Sequence, residues 1–257
     1  MSTYVVSDIH GCYMTFLKLL EQAGFTDGDT LYIGGDIIDR GDGFLELFKW
    51  IKDRHGKNVF MSLGNHELYF MEDLIDDVNS SNGWTRDSYG SIRFLREVKH
   101  ASDENLREMF QFFNELPLFY DIEVGGKRYI IVHAYITEDD INYPDRMDEY
   151  DTTFNRGLAT EQGWNRTIDG ATVIFGHTPT LFEFYPSDVQ GFIYREKGVS
   201  DDGKHYEKIN IDGGCVWRAE GNLALLRLDD MAEFYEKRID GKVEEFFLKE
   251  YLGGVDS

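Results

Sequence analysis

Two cysteines in 257 residues, Cys12 and Cys215, cannot build a disulfide framework. They suit a reducing compartment, so a cytoplasmic location is expected, and both read as small buried apolar side chains. No apolar run approaches the ~20 residues that cross a bilayer. No basic region followed by an apolar stretch opens the chain, so neither a signal peptide nor a membrane partner is expected. Positive charge is also scarce: 26 Lys and Arg stand against 48 Asp and Glu, a net charge of −22. Such a surface repels phosphate backbones and speaks against a nucleic-acid partner. It serves solubility, and it leaves room for a small anionic substrate wherever bound cations make one site locally positive.

What is present is the material of a core. Apolar residues make up 42%, with 15 Tyr and 19 Phe, too many for a disordered chain and enough to fold without staples. No linker, repeat or low-complexity tract divides the sequence, so residues 1–257 are taken as one domain. Its first part alternates β-rich runs with amphipathic stretches. Thr3 to Val6 reads as strand and Tyr13 to Ala23 as helix, stopped by Gly24. Thr30 to Ile33 is the next strand, Phe44 to Arg54 the next helix, and Asn58 to Ser62 a third strand. This alternation predicts an α/β fold with parallel pairing. Residues 66 to about 115 read as mostly helical. Phe119 to Val124, Gly125-Gly126 and Arg128 to Val132 read as a β-hairpin, and Thr172 to Phe175 as a further strand. Segments 137–170 and 187–205 read as loop-rich insertions, the second as a mobile polar loop. Lys208 to Ile211, Leu223 to Leu228, Phe234 to Lys237 and Glu244 to Leu248 close the chain as strands, with a turn at Asp240-Gly241.

Five motifs fall where strands run out into loops: Asp8-Ile9-His10-Gly11, Gly35-Asp36-Ile37-Ile38-Asp39-Arg40-Gly41, Gly64-Asn65-His66-Glu67, His133-Ala134 and Gly176-His177. In open α/β sheets, sites form beyond the carboxyl ends of the strands. Of seven histidines, four lie in these motifs. Carboxylate, imidazole and amide oxygen together suit Mn, Fe or Zn better than Ca. The set offers ligands for two divalent metals that share one carboxylate.

The first three motifs resemble the signatures of the phosphoprotein-phosphatase family of calcineurin-like metallophosphoesterases, in its bacterial serine/threonine type. His133 and His177 match its two later histidines. The resemblance runs from residue 3 to about 228 and is strongest in the second and third motifs. It implies a β-sandwich of two mixed sheets flanked by helices, and two divalent metal ions, Mn first with Fe and Zn as alternatives. It implies that Asp8 and His10 bind one metal, Asp36 bridges both, and Asn65, His133 and His177 complete the second. A hydroxide bridging the metals attacks phosphorus in line. Arg40 and Asn65 hold the phosphate, and His66, oriented by Asp39, protonates the leaving oxygen. The stretch Trp164-Asn165-Arg166 resembles the one that supplies a second phosphate-binding arginine, which makes Arg166 the candidate and Arg146, Arg156 and Arg218 its competitors. Glu67 is read as an acid in the first turn of a helix, and Asp212 and Cys215 as structural. Tyr135 stands where the family has glycine, and is expected to reshape the rim of the substrate cleft.

The expected activity is hydrolysis of phosphomonoesters, foremost protein phosphoserine and phosphothreonine, so the partner is a phosphorylated protein or a small phosphorylated molecule. The enzymatic alternative is symmetric hydrolysis of diadenosine tetraphosphate. Asp39 and Glu67 favour the phosphoprotein side, because relatives with the dinucleotide activity usually lack the first and carry Asp at the second. A non-catalytic metal-binding interaction module is the remaining reading.

Overall fold

The computed structural model describes residues 1–79, 101–160, 168, 170–199, 203 and 205–239. Alternation along the strands decides which layer each side chain enters. In β1 (Thr3–Val6), Tyr4 and Val6 join a core shared with the helices, while Val5 faces a second core. In β5 (Lys127–Val132), Tyr129 and Ile131 enter that second core, and Ile130 and Val132 a third on the far side. The second core lies between two five-stranded sheets. One has the order β10-β9-β1-β2-β3, the other β4-β5-β6-β8-β7. Their members are β2 (Thr30–Ile33), β3 (Val59–Met61), β4 (Phe119–Val124), β6 (Ala171–Phe175), β7 (Tyr194–Val199), β8 (His205–Asn210), β9 (Leu223–Arg227) and β10 (Ala232–Glu236). The sheets are mixed: β1, β2 and β3 run parallel, and β9 joins β1 antiparallel. In the other sheet β5, β6 and β8 run parallel, while β4 and β7 are antiparallel edges. This is the expected sandwich.

The helices cover the first sheet for reasons written in their spacing. Helix α1 (Tyr13–Ala23) buries Phe16, Leu19, Leu20 and Ala23 on one face, each large side chain contributing roughly 1.5–3 kcal/mol. Gly24 ends it at φ 68°, its N–H bonded to the last carbonyls. Helix α2 (Phe44–Lys52) buries Leu47, Phe48 and Ile51 likewise. Helix α3 (Asn65–Asn79) and helix α4 (Asp103–Asn114) pack on each other. The β4–β5 hairpin turns on Gly125 and Gly126 at φ 58° and 76°, a pair of positive φ values that suits a two-residue turn.

Segment 187–205 corrects the sequence reading. It contains β7, paired with β8. The strand was hidden because it is a charged edge: Lys197 pairs with Glu207 at 3.1 Å and Glu196 with Lys208 at 3.4 Å across the ladder. Segment 137–170 contains helices α5 (Glu138–Asn142) and α6 (Glu149–Phe154), capped by Thr137 and Asp148. Residues 80–100, the strand expected at 244–248 and the turn at Asp240-Gly241 lie outside the described residues. Among the described residues no helix is long and apolar enough to cross a membrane.

Candidate metal centre and phosphate site

The carboxyl ends of β1, β2, β3, β5 and β6 bring the five motifs together. The loops that do this are strained. Among the described residues, seven non-glycine residues have positive φ, and six are Asp8 (54°), His10 (47°), Asp36 (55°), Asp39 (66°), Arg40 (63°) and His177 (64°). Left-handed backbone is unfavourable for residues with a Cβ and costs of the order of 1–3 kcal/mol each. Such concentration in expected site residues marks a functional loop cluster. Glycine permits the close approach: a Cβ on Gly64 would lie 2.4 Å from the Asp36 Oδ1, and one on Gly176 2.1 Å from the Asp8 Oδ2.

Asp36 sits at the centre and faces two ways. Its Oδ2 lies 3.7 Å from His10 Nε2 and 3.8 Å from His66 Nε2. Its Oδ1 lies 3.5 Å from His133 Nε2 and accepts the His66 backbone N–H at 3.0 Å. Two groups of potential metal donors share it: His10, Asp36 and His66, and Asp36, His133 and His177.

The hydrogen-bond network assigns the tautomers. His133 Nδ1 lies 2.7 Å from the Gly34 carbonyl, so it carries the proton and leaves a lone pair on Nε2, 2.9 Å from Asn65 Oδ1. His177 Nε2 donates to the Phe154 carbonyl at 3.2 Å, so the lone pair is on Nδ1, 2.8 Å from the same Asn65 oxygen. Three acceptors therefore converge with no proton among them, and Asp36 Oδ1 adds a fourth. Each imidazole is oriented by a carbonyl on its other nitrogen, as metal-binding histidines are. His10 repeats the pattern, with Nδ1 donating to the Ile38 carbonyl at 2.9 Å. Burial holds His10, His66 and His177 neutral, His177 down to about 2. Burial pushes the Asp36 carboxyl well above its ordinary range, and the nearby Glu67 and Asp8 charges push the same way. Neutral imidazoles beside crowded carboxylates fit divalent cations on the donor set alone.

Asp8, expected beside His10, accepts the His177 N–H at 3.0 and 3.2 Å. It thereby links the first loop of one sheet to the last motif of the other. His66 lies beside His10, their rings 4.7 Å apart. Its Nδ1 lies 2.5 Å from Asp39 Oδ2, both side chains buried. Arg40 reaches His10 Nε2 at 2.7 Å and His66 Nε2 at 3.1 Å. A cation on His10 competes with this guanidinium for one lone pair.

Glu67 and Tyr135 take places that the sequence did not show. Glu67 is in the first turn of α3, but it is fully buried and turned inward. Its carboxylate accepts the N–H groups of Asp36 and Ile37 at 2.8 Å, Gly64 at 3.1 Å and Ile38 at 3.4 Å. It clamps the loop that carries the central carboxylate. Burial pushes its carboxyl up, and these bonds oppose that. The signal was its place in the third motif; three of its partners, Asp36, Ile37 and Ile38, are some thirty residues away. Tyr135 is buried in the outer core of the second sheet, beside Gly157. Arg166 lies outside the described residues. Its competitor Arg156 follows α6 and donates to His177 O at 3.2 Å and Thr178 Oγ1 at 3.1 Å. Asp212, Asp8 and Asp36 act on its charge. Arg146 instead lies over Tyr143.

The sequence profile of the calcineurin-like phosphoesterase family matches residues 1–215. A symmetrical bis(5'-nucleosyl)-tetraphosphatase of Chromobacterium violaceum is 26% identical, over 91% of this chain and 94% of its own. A serine/threonine-protein phosphatase 2 of Salmonella typhimurium is 31% identical, over 68% of this chain and 78% of its own. Among solved structures, a putative diadenosine tetraphosphatase superposes with a TM-score of 0.61 at 18% identity, covering 93% of this chain and 94% of that one, a likeness of fold.

Proposed function

The chain belongs to the calcineurin-like phosphoesterase family, and on that premise we propose that it hydrolyses phosphomonoesters, foremost phosphoserine and phosphothreonine in proteins. Asp8, His10, Asp36, Asn65, His133 and His177 would hold two divalent metal ions. The observation that carries this reading is the two-faced Asp36, with proton-free donor atoms of His10 on one side and of His133, His177 and Asn65 on the other. Bound there, the ions supply Lewis-acid stabilisation of phosphoryl charge and activation of the attacking water.

The chain's own residues do the rest. Arg40 offers a planar fork to the phosphoryl oxygens, whose charge grows in the transition state. Arg156, on the His177 side, is the second guanidinium, and Asn65 Nδ2 is the neutral donor. His66 gives a proton from Nε2 to the departing oxygen. Asp39 fixes the ring through Nδ1 and favours the charged form that burial and Arg40 oppose. Such an acid matters most for an alkoxide, typically by about 10²–10⁴-fold. That supports serine and threonine esters, and it supports catalysis over a metal-binding module without activity.

A second reading is symmetric hydrolysis of diadenosine tetraphosphate. It is favoured by the relative that matches nearly end to end and carries that name. The test is one side-by-side assay of Mn-loaded protein on phosphoserine, phosphothreonine and phosphotyrosine peptides and on diadenosine tetraphosphate, with a chelator control. Phosphate release from the first two peptides, abolished by chelator, is expected. ADP from the dinucleotide with silent peptides would replace the first reading with the second. Metal binding with no turnover of any substrate would leave the interaction module.

A further inference from the structure

A cavity of about 610 Å³ lies on the outer face of the second sheet, within the ~300–1,000 Å³ of small-molecule sites. Ile174 and Ile209 point into the core between the sheets, so alternation turns Phe175, Lys208 and Asn210 outward. On the paired edge strand, Tyr194 stands opposite Asn210 and Glu196 opposite Lys208. These side chains line the cavity together with Tyr185 and the segment 155–160 that follows α6. The metal ligands do not line it.

Its polar groups are costly ones to place on a sheet face. Lys208 is 3% exposed, with Nζ 3.4 Å from Glu196 Oε2 and 3.2 Å from the Leu158 carbonyl. Burial pulls the ammonium down, and Glu196 holds it up. Such a pair is a weak source of stability, because desolvation offsets the attraction and apolar residues of similar volume do as well. Tyr185 is 5% exposed, and its Oη accepts a proton of Asn210 Nδ2 at 2.6 Å. Burial pushes the phenol up, so it stays protonated. Among the described residues nothing accepts that proton. A ligand oxygen in the cavity would remove the penalty of an unmet buried donor. Arg156 lines the cavity and also contacts the His177 carbonyl of the metal centre. Its guanidinium lies over Phe182 at 5.6 Å, Phe182 meets Trp217 at 5.7 Å, and Trp217 lies under Arg40 at 5.4 Å. These rings support both guanidinia.

We propose that this cavity binds a small monocarboxylate with an apolar body, one oxygen accepting from Tyr185 Oη and the charge held by Arg156 and Lys208. Two cations and one carboxylate line the cavity, so it carries one net positive charge in a chain of −22. Glu196 disfavours a second negative charge on the ligand. Leu158, Phe175 and Phe184 supply the apolar wall. A carboxylate suits the planar guanidinium fork. The consequence for the metal centre rests on the reading that Arg156 holds the phosphoryl group: an occupied cavity draws on the same guanidinium and weakens phosphate binding.

Calorimetry on the metal-loaded protein tests it with butyrate, benzoate and phenylacetate, each against its amide. At least one acid is expected to bind about tenfold more tightly than its amide. Tyr185→Phe, which keeps the ring, is expected to weaken that acid about tenfold. Lys208→Met combined with Glu196→Gln leaves no unpaired charge and is expected to abolish the preference for acid over amide. Binding of none of the three acids overturns the proposal. So does binding that both variants leave unchanged, as a carboxylate coordinating the metals would give. Phosphate affinity is then measured with and without the saturating acid, and is expected to fall about fivefold. Acid binding that depends on Tyr185 but leaves phosphate affinity unchanged supports the cavity site and removes Arg156 from the phosphate reading. Phosphoserine peptides with Glu or Gln beside the phosphorylated residue separate the sources of the carboxylate. A kcat/KM advantage for Glu that Tyr185→Phe removes assigns it to the substrate, and equal values assign it to a free organic acid.

Discussion

The two sheets reach the site differently. The first sheet sends Asp8, His10, Asp36, Asp39 and Arg40 from the loops that directly follow β1 and β2, and Asn65 and His66 from the start of α3 just after β3. Each loop is short, and most of the strained backbone is in them. The second sheet sends His133 and His177 from the ends of β5 and β6, but Arg156, Phe182 and Trp217 arrive on longer excursions. The first sheet therefore fixes the reacting centre through local chain geometry. The second shapes what surrounds the phosphate through contacts distant in sequence. Chemistry and selectivity are expected to separate along that division.

The sharpest way to break the division is at its centre. Asp36→Asn keeps the volume but weakens the carboxylate that faces both histidine groups. Activity and bound metal, read by metal analysis, are expected to fall together by more than the ~10–100-fold typical of groups behind the ligands. Full metal content with normal turnover would exclude a shared carboxylate. His66→Asn comes next, because the structure gives this residue two possible duties. As a general acid it should keep metal while losing about 10²–10⁴-fold on alkyl phosphates, and far less on aryl phosphates. If metal is lost instead, His66 is a ligand, as its position beside His10 and Asp36 allows.

Glu67→Gln tests whether the loop clamp serves the metals. Metal affinity is expected to weaken about 10–100-fold, and denaturant unfolding to show a loss of about 1–3 kcal/mol as N–H groups lose acceptors. A stability loss with unchanged affinity would make the clamp purely structural. On the other sheet, Arg156→Ala is the mildest: about tenfold weaker inhibition by inorganic phosphate, with metal content intact. Unchanged phosphate inhibition would return the role of second guanidinium to another arginine.

The strands β1 to β6 were legible because each is a short β-rich run ending in a turn signal, and the site motifs sit at those ends. The parallel pairing followed from the alternation with α1 and α2. Strand β7 was not legible: its charges look like a loop until Glu207 and Lys208 are seen across the ladder. Nor was the direction of Glu67. A glutamate at the start of a helix reads as an acid favoured by that position, and only the folded chain brings the N–H groups of Asp36, Ile37 and Ile38 over it. Tyr135 shows the converse, since a large residue replacing the expected glycine was absorbed by the outer core.

The sequence by itself determined the donor types, their places at strand ends and the family of the chain, because these rest on short spacings within single loops. The tertiary structure decided which lone pairs face one another, which carboxylate stands between them and which arginine and aromatic rings flank them. Those relations join residues from 26 to 169 positions apart. No local pattern encodes them, and only the packing of two sheets face to face brings them within bonding distance.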